Sequence, residues 1–247
     1  MQRVDLPGET LLSRQADWLR PARAGLLRRA AVARRRYLLD LGAGRGAVTG
    51  ELVRRGGGLV TALDRQVAAL QSSRAFAGAG RVGGDARRLP FADATFDLVF
   101  SQLTLLWIAP LARGLDEIHR VLAPGGVLVA LEPDYGGMME YPPEIATREL
   151  WWAALRRAGA DPCVGRKLPG LLAAHGFKVH VALFDRLLPP DPARLDLLSG
   201  LPLTSEEVRR LQRIVEADRR LRAAADHAWA VVAHLPFVLL TAEKREL

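Results

Sequence analysis

Apolar positions along this chain fall into two kinds of segment that alternate. Short, nearly uninterrupted apolar runs each close on a polar residue: 38–41 around Asp40, 59–63 before Asp64, 81–84 before Asp85, 96–100 before Ser101 and 127–131 before Glu132. Between them lie stretches with apolar residues at helical spacing. One begins at Val48 and runs through Leu52 and Val53, one covers 66–76, and one covers 111–122, stopped by Pro124-Gly125-Gly126. Continuous apolar runs separated by helical segments predict parallel strands covered on both faces and joined by right-handed crossovers. The fold class is therefore α/β, with a doubly wound sheet. Ligands bind such sheets beyond the carboxyl ends of the strands, which is where Asp40, Asp64, Asp85, Ser101 and Glu132 fall.

The flanks read differently. Residues 13–33 predict helix, with Pro21 starting a new helix or kinking one. Leu26, Leu27, Ala30 and Ala31 form the stripe it would bury. Arg34-Arg35-Arg36 is a solvated link into the first strand. The second half is less regular: helix over 143–159, a short helix over 169–175 capped by Gly176, and a strand over 177–184. After the break at Pro189-Pro190-Asp191-Pro192 come a long helix over 205–225, with Val208, Leu211, Val215 and Leu221 on one face, and a final strand over 236–242. The expected organisation is a single domain over 1–247: a helical cap (1–36), a ligand-binding core (37–134), and substrate-side helices with the final strands (135–247).

Composition narrows the class. The chain has 247 residues, and 49% of them are hydrophobic, an ordinary globular balance. The apolar runs are strand-length, too short to span a bilayer. Met1-Gln2-Arg3-Val4-Asp5 carries no signal-peptide core, so the expectation is a soluble cytoplasmic protein. Cys163 is the only cysteine, which rules out an internal disulfide and a cysteine-based zinc site. The histidines His175, His180, His227 and His234 have no metal-site spacing, so no metal is expected. The net charge of +8 comes from 35 basic residues of which only three are lysine. The arginines are spread along the whole chain rather than gathered into a nucleic-acid patch. Those of the long helix, Arg209, Arg210, Arg213, Arg219 and Arg220, read as a solvated face.

The candidate chemistry centres on Gly42-Ala43-Gly44-Arg45-Gly46-Ala47. Glycines can take positive φ and offer bare backbone to a ligand at a helix start. Because Ala47 follows, the turn also satisfies the dinucleotide fingerprint. Asp64 can grip a ribose diol through charge-assisted hydrogen bonds, which fits either a dinucleotide or S-adenosylmethionine. Asp85-Ala86, with Leu89-Pro90-Phe91 and 96–99 nearby, has what an adenine-binding loop needs: an acid for the exocyclic amine and apolar neighbours for the ring.

Taken together, Leu38-Leu39-Asp40-Leu41-Gly42-Ala43-Gly44-Arg45-Gly46, Ala62-Leu63-Asp64, Gly84-Asp85-Ala86, the segment 89–101 and Glu117-Ile118-His119-Arg120-Val121-Leu122-Ala123-Pro124-Gly125-Gly126 resemble the class I S-adenosylmethionine-dependent methyltransferases. The likeness is to their small-molecule branch, similar to the ubiquinone/menaquinone-biosynthesis enzymes, and covers residues 37–134. It implies a Rossmann-like, seven-stranded, mostly parallel sheet whose last strand is antiparallel, with an N-terminal helical cap and a helical insertion before the last strand. By the same resemblance S-adenosylmethionine is the cofactor. Gly42, Ala43 and Gly44 would lie against its methionine part, Asp40 near its amino group and Asp64 on the ribose. Arg65, Asp85 and Ala86 would surround the adenine, and Ser101 and Gln102 would face the sulfonium. Arg45 departs from the family's usual small or polar residue and would point to solvent or meet the cofactor carboxylate. Trp18, Arg20 and Arg23 would fold over the cofactor.

Methyl transfer needs alignment more than a catalytic side chain. The candidates for a catalytic role follow the fifth strand: Glu132 and Tyr135 first, with Asp134, Glu140 and Tyr141 in the same loop. The expected partner is a small-molecule methyl acceptor, without nucleic acid or a membrane span. Methylation of RNA or protein through the basic surface, and a non-catalytic S-adenosylmethionine-binding module, are the alternatives. The Asn/Asp-Pro-Pro-aromatic motif of nucleic-acid amino methylators is replaced here by Ser101-Gln102-Leu103-Thr104, and a nicotinamide oxidoreductase would need a Tyr-x-x-x-Lys set that is absent.

Overall fold

The computed structural model describes residues 6–71, 74–184 and 186–245, so Met1–Asp5 lie outside the described residues. Two helices, α1 (Glu9–Trp18) and α2 (Arg20–Arg29), precede strand β1 (Tyr37–Leu41). Then come α3 (Thr49–Arg55), β2 (Leu59–Asp64), β3 (Ala79–Gly83), β4 (Phe96–Gln102), α4 (Leu111–Val121) and β5 (Leu122–Pro133). The second half contains β6 (Met139–Tyr141), α5 (Arg148–Arg157), α6 (Val164–Ala174), β7 (Phe177–Leu183), α7 (Arg194–Ser199), α8 (Ser205–Ala224), β8 (Val232–His234) and β9 (Phe237–Lys244).

The main sheet has seven strands in the order β3-β2-β1-β4-β5-β9-β7. The first five are mutually parallel, and β9 runs antiparallel between β5 and β7. The mostly parallel sheet with one reversed strand is therefore as expected. Alternation along the central strands sorts side chains into two cores. Leu38, Leu98 and Phe100 pack with Ala16, Leu19, Leu26 and Leu27 of α1 and α2 and the linker between them, whereas Leu39, Leu41 and Val99 pack with residues of α4, α5, α6 and α8. The sheet is thus the middle of three layers, and its carboxyl-terminal edge is left open for a site.

Several local expectations change. Of the helix expected over 66–76, Val67–Gln71 form a 3-10 turn, Ser72 and Ser73 lie outside the described residues, and 74–76 lie in turns. The Leu70 carbonyl, which a longer helix would use internally, accepts the Arg81 guanidinium at 3.1 Å, and the chain turns at Gly78 (φ +81°) into β3. Pro124-Gly125-Gly126 does not separate helix from strand. α4 ends at Val121 and β5 begins at once, with a register shift (Phe96 opposite Leu122, then Leu98 opposite Val127) that absorbs residues 123–126 as an irregularity. Such insertions bend a strand without ending it. α6 starts at Val164, five residues before Pro169, and runs through it. The predicted helix over 143–159 is a 3-10 turn, Pro143–Ile145, followed by α5. Helix α7 and the small β6–β8 pair were not foreseen. On α8 the buried face is Leu211, Ile214, Ala217 and Asp218, while Val208 and Val215 are exposed. Tertiary packing rotated the face because Asp218 is held by Arg194 at 2.6 Å and Arg222 at 2.7 Å.

Candidate active site

The glycine turn leaves β1 at its carboxyl end. Gly42, Gly44 and Gly46 have φ of +75°, +54° and +80°, a region that favours residues without a Cβ. The backbone N–H groups of Gly42 and Ala43 both donate to the Leu63 carbonyl, at 2.8 and 3.0 Å, which anchors the turn on β2. A Cβ on Gly42 would lie 2.2 Å from the Thr104 hydroxyl oxygen, so the turn also packs against the segment that follows β4. Asp64, closing β2, accepts from the Gly44 N–H at 2.8 Å and from the Gln66 N–H at 2.7 Å. These two bonds fix the direction of its carboxylate.

Beyond the ends of β1 to β5 lies a cavity of about 580 Å³, within the range of about 300–1,000 Å³ usual for small-molecule sites. Asp40, Gly42, Ala43, Gly44, Asp64, Arg65, Asp85, Ala86 and Gln102 all line it, as does Tyr135. Ser101 and Glu132 are fully buried behind the wall and are not among its lining residues. The Glu132 Oε1 accepts the N–H groups of Thr104 (3.0 Å) and Leu105 (2.8 Å) and the Ser101 hydroxyl (3.4 Å). Its geometry is that of a brace for the turn after β4. The loop's other acids are also engaged: Asp134 pairs with Arg166 at 2.8 Å, and Glu140 accepts from the Thr147 N–H and hydroxyl and the Arg148 N–H.

Burial sets the electrostatics. It pushes the Asp40 carboxyl up to about 6, only partly offset by the Thr49 hydroxyl that donates to it at 2.6 Å. It pushes the Glu132 carboxyl up to about 7, against the opposing backbone donors, while Oε2 has no hydrogen-bond partner. Burial likewise raises the Tyr135 phenol, which remains protonated; its ring lies 4.9 Å from that of Trp151. Asp85 goes the other way. Hydrogen bonds from Arg87 hold its carboxyl down at about 2. The Cys163 thiol is buried and raised by desolvation, as an unreactive thiol would be.

The cap closes the cavity from the other side. Leu6, Pro7, Leu12, Gln15 and Ala16 line it, whereas Trp18 and Arg20 do not. Arg45 donates to the Pro7 carbonyl at 3.3 Å and so holds the segment before α1. Arg23 is 2% exposed. Its guanidinium donates to Glu51 (2.6 and 2.9 Å), the Ala16 carbonyl (2.9 Å) and the Gln102 side-chain oxygen (3.0 Å). An arginine on the same helical face as Leu26, Leu27 and Ala30 was the signal that it is buried. Nothing in the sequence pointed to Leu103 (φ +56°), Thr104, Trp107, Leu197 of α7 or Gly200 just after it, which also line the cavity. The motif around Glu117 and Arg120 works from outside: Glu117 accepts the Leu89 N–H, and Arg120 donates to the carbonyls of Leu89 and Phe91, pinning the segment beyond Asp85.

Residues 39–130 match the sequence model of the family described as Methyltransferase domain. Among curated proteins, a malonyl-[acyl-carrier protein] O-methyltransferase of Pseudescherichia vulneris is 37% identical over 118 residues, 47% of this chain and 44% of that protein. The human protein named Arginine-hydroxylase NDUFAF5, mitochondrial, is 31% identical over 169 residues, 66% of this chain and 48% of that protein. The chain thus spans less than half the length of either relative. Among solved structures, an S-adenosylmethionine-dependent methyltransferase from Mesorhizobium loti superposes with a TM-score of 0.56 at 22% identity, covering 92% of this chain and 97% of that one. Residues 39–130 are thus similar to a methyltransferase domain, and the β3-β2-β1-β4-β5 order with its reversed strand belongs to a fold shared with the superposed S-adenosylmethionine-dependent methyltransferase.

Proposed function

We propose that the protein transfers a methyl group from S-adenosylmethionine to a small-molecule acceptor held in the same cavity. The observation that supports this most is the convergence of bare glycine backbone, the Asp64 carboxylate and the Asp85-Ala86 turn on one cavity. The donor set suits the group chemically: the Asp64 carboxylate for a diol, Asp85, which shares its carboxylate with Arg87, beside Ala86 and Leu63 for an adenine edge, and Asp40 for an ammonium; Leu89-Pro90-Phe91, expected beside the ring, do not line the cavity. A positive amino group beside Asp40 offsets the burial that pushes its carboxyl up. Bound there, the cofactor supplies an activated methyl on a sulfonium. In this reading Asp64 holds the ribose, Arg65, Asp85 and Ala86 surround the adenine, and Gly42, Ala43 and Gly44 carry the methionine part. Gln102, fixed by Arg23, borders the reacting end, and Ser101 acts from behind the wall through Glu132. The protein aligns the reactants and keeps water out.

Isothermal titration tests the reading. S-adenosylhomocysteine should bind and NAD should not. Asp64→Ala should weaken that binding about 10–100-fold, the worth of one or two hydrogen bonds to a charged group. Tight binding of NAD alone overturns the proposal. A second reading is supported by the 169-residue alignment to the protein named an arginine hydroxylase: a related site serving hydroxylation of an arginine side chain, with dioxygen supplying the inserted oxygen atom and a two-electron reductant taking the other to water. Mass spectrometry of a reacted substrate separates the two, since one adds a methylene's mass and the other an oxygen's.

A further inference from the structure

A second, smaller cavity of about 240 Å³ lies between α1, the glycine turn, α3 and the segment before β3. Leu12, Arg45 and Ala47 line both cavities, so the two share a wall. Gly46 (φ +80°) and Gly50 leave part of the lining without side chains. The Arg54 Nη1 lies 3.4 Å from where a Gly50 Cβ would stand, and the Ala75 carbonyl oxygen 3.8 Å from the same point. The Arg54 guanidinium thus lies over Gly50, next to the segment that carries Arg74, which also lines the cavity. From this cluster we propose a second binding site, which takes a phosphate monoester whose short carbon chain carries hydroxyl groups. The site stands beside the methyl-transfer reading and does not depend on it.

Charge selects the phosphate. Among the described residues Arg54 and Arg74 have no hydrogen-bond or ion-pair partner, and the Arg45 guanidinium is used only at Nε, by the Pro7 carbonyl at 3.3 Å. Glu51 also lines the cavity, but its carboxylate is already matched by Arg23 at 2.6 Å and by Arg55 at 2.8 Å. That sets three guanidinium charges against the one unpaired carboxylate, the exposed Glu9, an excess that suits the double charge of a phosphate monoester. Guanidinium forks also meet phosphate oxygens in pairs. Glu51 and the volume select the rest of the ligand. Glu51 is 8% exposed, and its Oε1 accepts no hydrogen bond, since Arg55 faces it as an ion pair only. A buried oxygen without a donor is costly, and a ligand hydroxyl supplies the donor. The cavity has the volume of about eight waters at about 30 Å³ each, which leaves room beside a phosphoryl group for a chain of about three carbons.

The test uses glycerol 3-phosphate as the probe, with sulfate and glycerol as controls that each carry half of its features. All three are titrated calorimetrically at pH 8 into the full chain, with and without saturating S-adenosylhomocysteine. Glycerol 3-phosphate should bind once per chain in both conditions, at least about tenfold tighter than sulfate, and glycerol should not bind. Arg54→Ala and Arg74→Ala should each weaken it about tenfold or more, the worth of a charge-assisted hydrogen bond. Neither change should move the melting temperature, because neither arginine has a partner among the described residues. Equal affinity for sulfate marks an adventitious ion only and overturns the proposal. So do unchanged affinity in both variants, competition between the probe and S-adenosylhomocysteine, and no binding to the wild type. Failure of S-adenosylhomocysteine itself to bind overturns the methyl-transfer reading instead, and the titration without it then decides this site.

Discussion

At the scale of single residues, carboxyls stripped of water carry the clearest pH signature. Glu132 rises from an ordinary 4.5 to about 7 and Asp40 from 3.8 to about 6, both through burial. An acid with a raised folded pKa binds its proton more tightly in the native state. The stability it contributes is fully present below the ordinary value and is lost as pH rises through the folded one. The melting temperature should therefore fall as pH rises from about 5 to about 8. Glu132→Gln keeps an acceptor for the Thr104 and Leu105 N–H groups and removes the titration, so it should flatten that slope. A slope identical to wild type in differential scanning calorimetry counts against the assignment. This is also where sequence is most easily misread. An acid at a strand end marks the open edge of the sheet, but Asp64 faces the cavity while Glu132 braces the turn behind it. Both follow apolar runs, and only the direction of the side chain separates them.

At the scale of elements, local chemistry was legible where the element is self-contained. Thr204 caps α8 through a complete capping box: its hydroxyl accepts the Glu207 N–H, and the Glu207 carboxylate accepts the Thr204 N–H. Thr204→Ala should cost about 1 kcal/mol, read as a lower denaturant midpoint with the slope unchanged. The helix's existence and bounds were visible in the sequence. Its buried face was visible only in part: Leu211 is buried and Leu221 packs against the core, whereas Val208 and Val215 are exposed and Asp218, paired with Arg194 of α7 and Arg222 of the same helix, takes an inward position. After β2 a 3-10 turn, Val67–Gln71, stands where helix was expected, and the Arg81 guanidinium of β3, a partner the pattern of 66–76 does not contain, donates to the Leu70 carbonyl.

At the scale of the whole molecule, Arg23 joins more parts than any pattern announces. It sits on α2, reaches the last turns of α1 through Ala16, pairs with Glu51 of α3 and touches Gln102 at the cavity. Arg23→Ala leaves Glu51 buried, with only the half-exposed Arg55 nearby, and should cost about 3 kcal/mol in denaturant unfolding. It should also weaken S-adenosylhomocysteine binding, because the cap and Gln102 lose their shared anchor. Arg20→Ala, whose partner Asp17 is a surface neighbour, should stay within about 0.5 kcal/mol of wild type and bind normally. By itself the sequence determined the alternation of buried strand and helix, the polar residues at strand ends and the glycine turn, because these are local consequences of periodicity and backbone freedom. It thereby determined the fold and named most of the residues that line the half of the cavity beyond β1, β2 and β3. Only the tertiary structure decided which acids face the cavity, how the cap is tethered, and that the second half of the cavity is walled mainly by apolar side chains among the described residues. The cap is tethered by Arg23 and Arg45, and the second half of the cavity is built by residues from Leu106 to Leu201; these are distant in the chain from their partners, and whether each faces inward is set by packing that no local window contains.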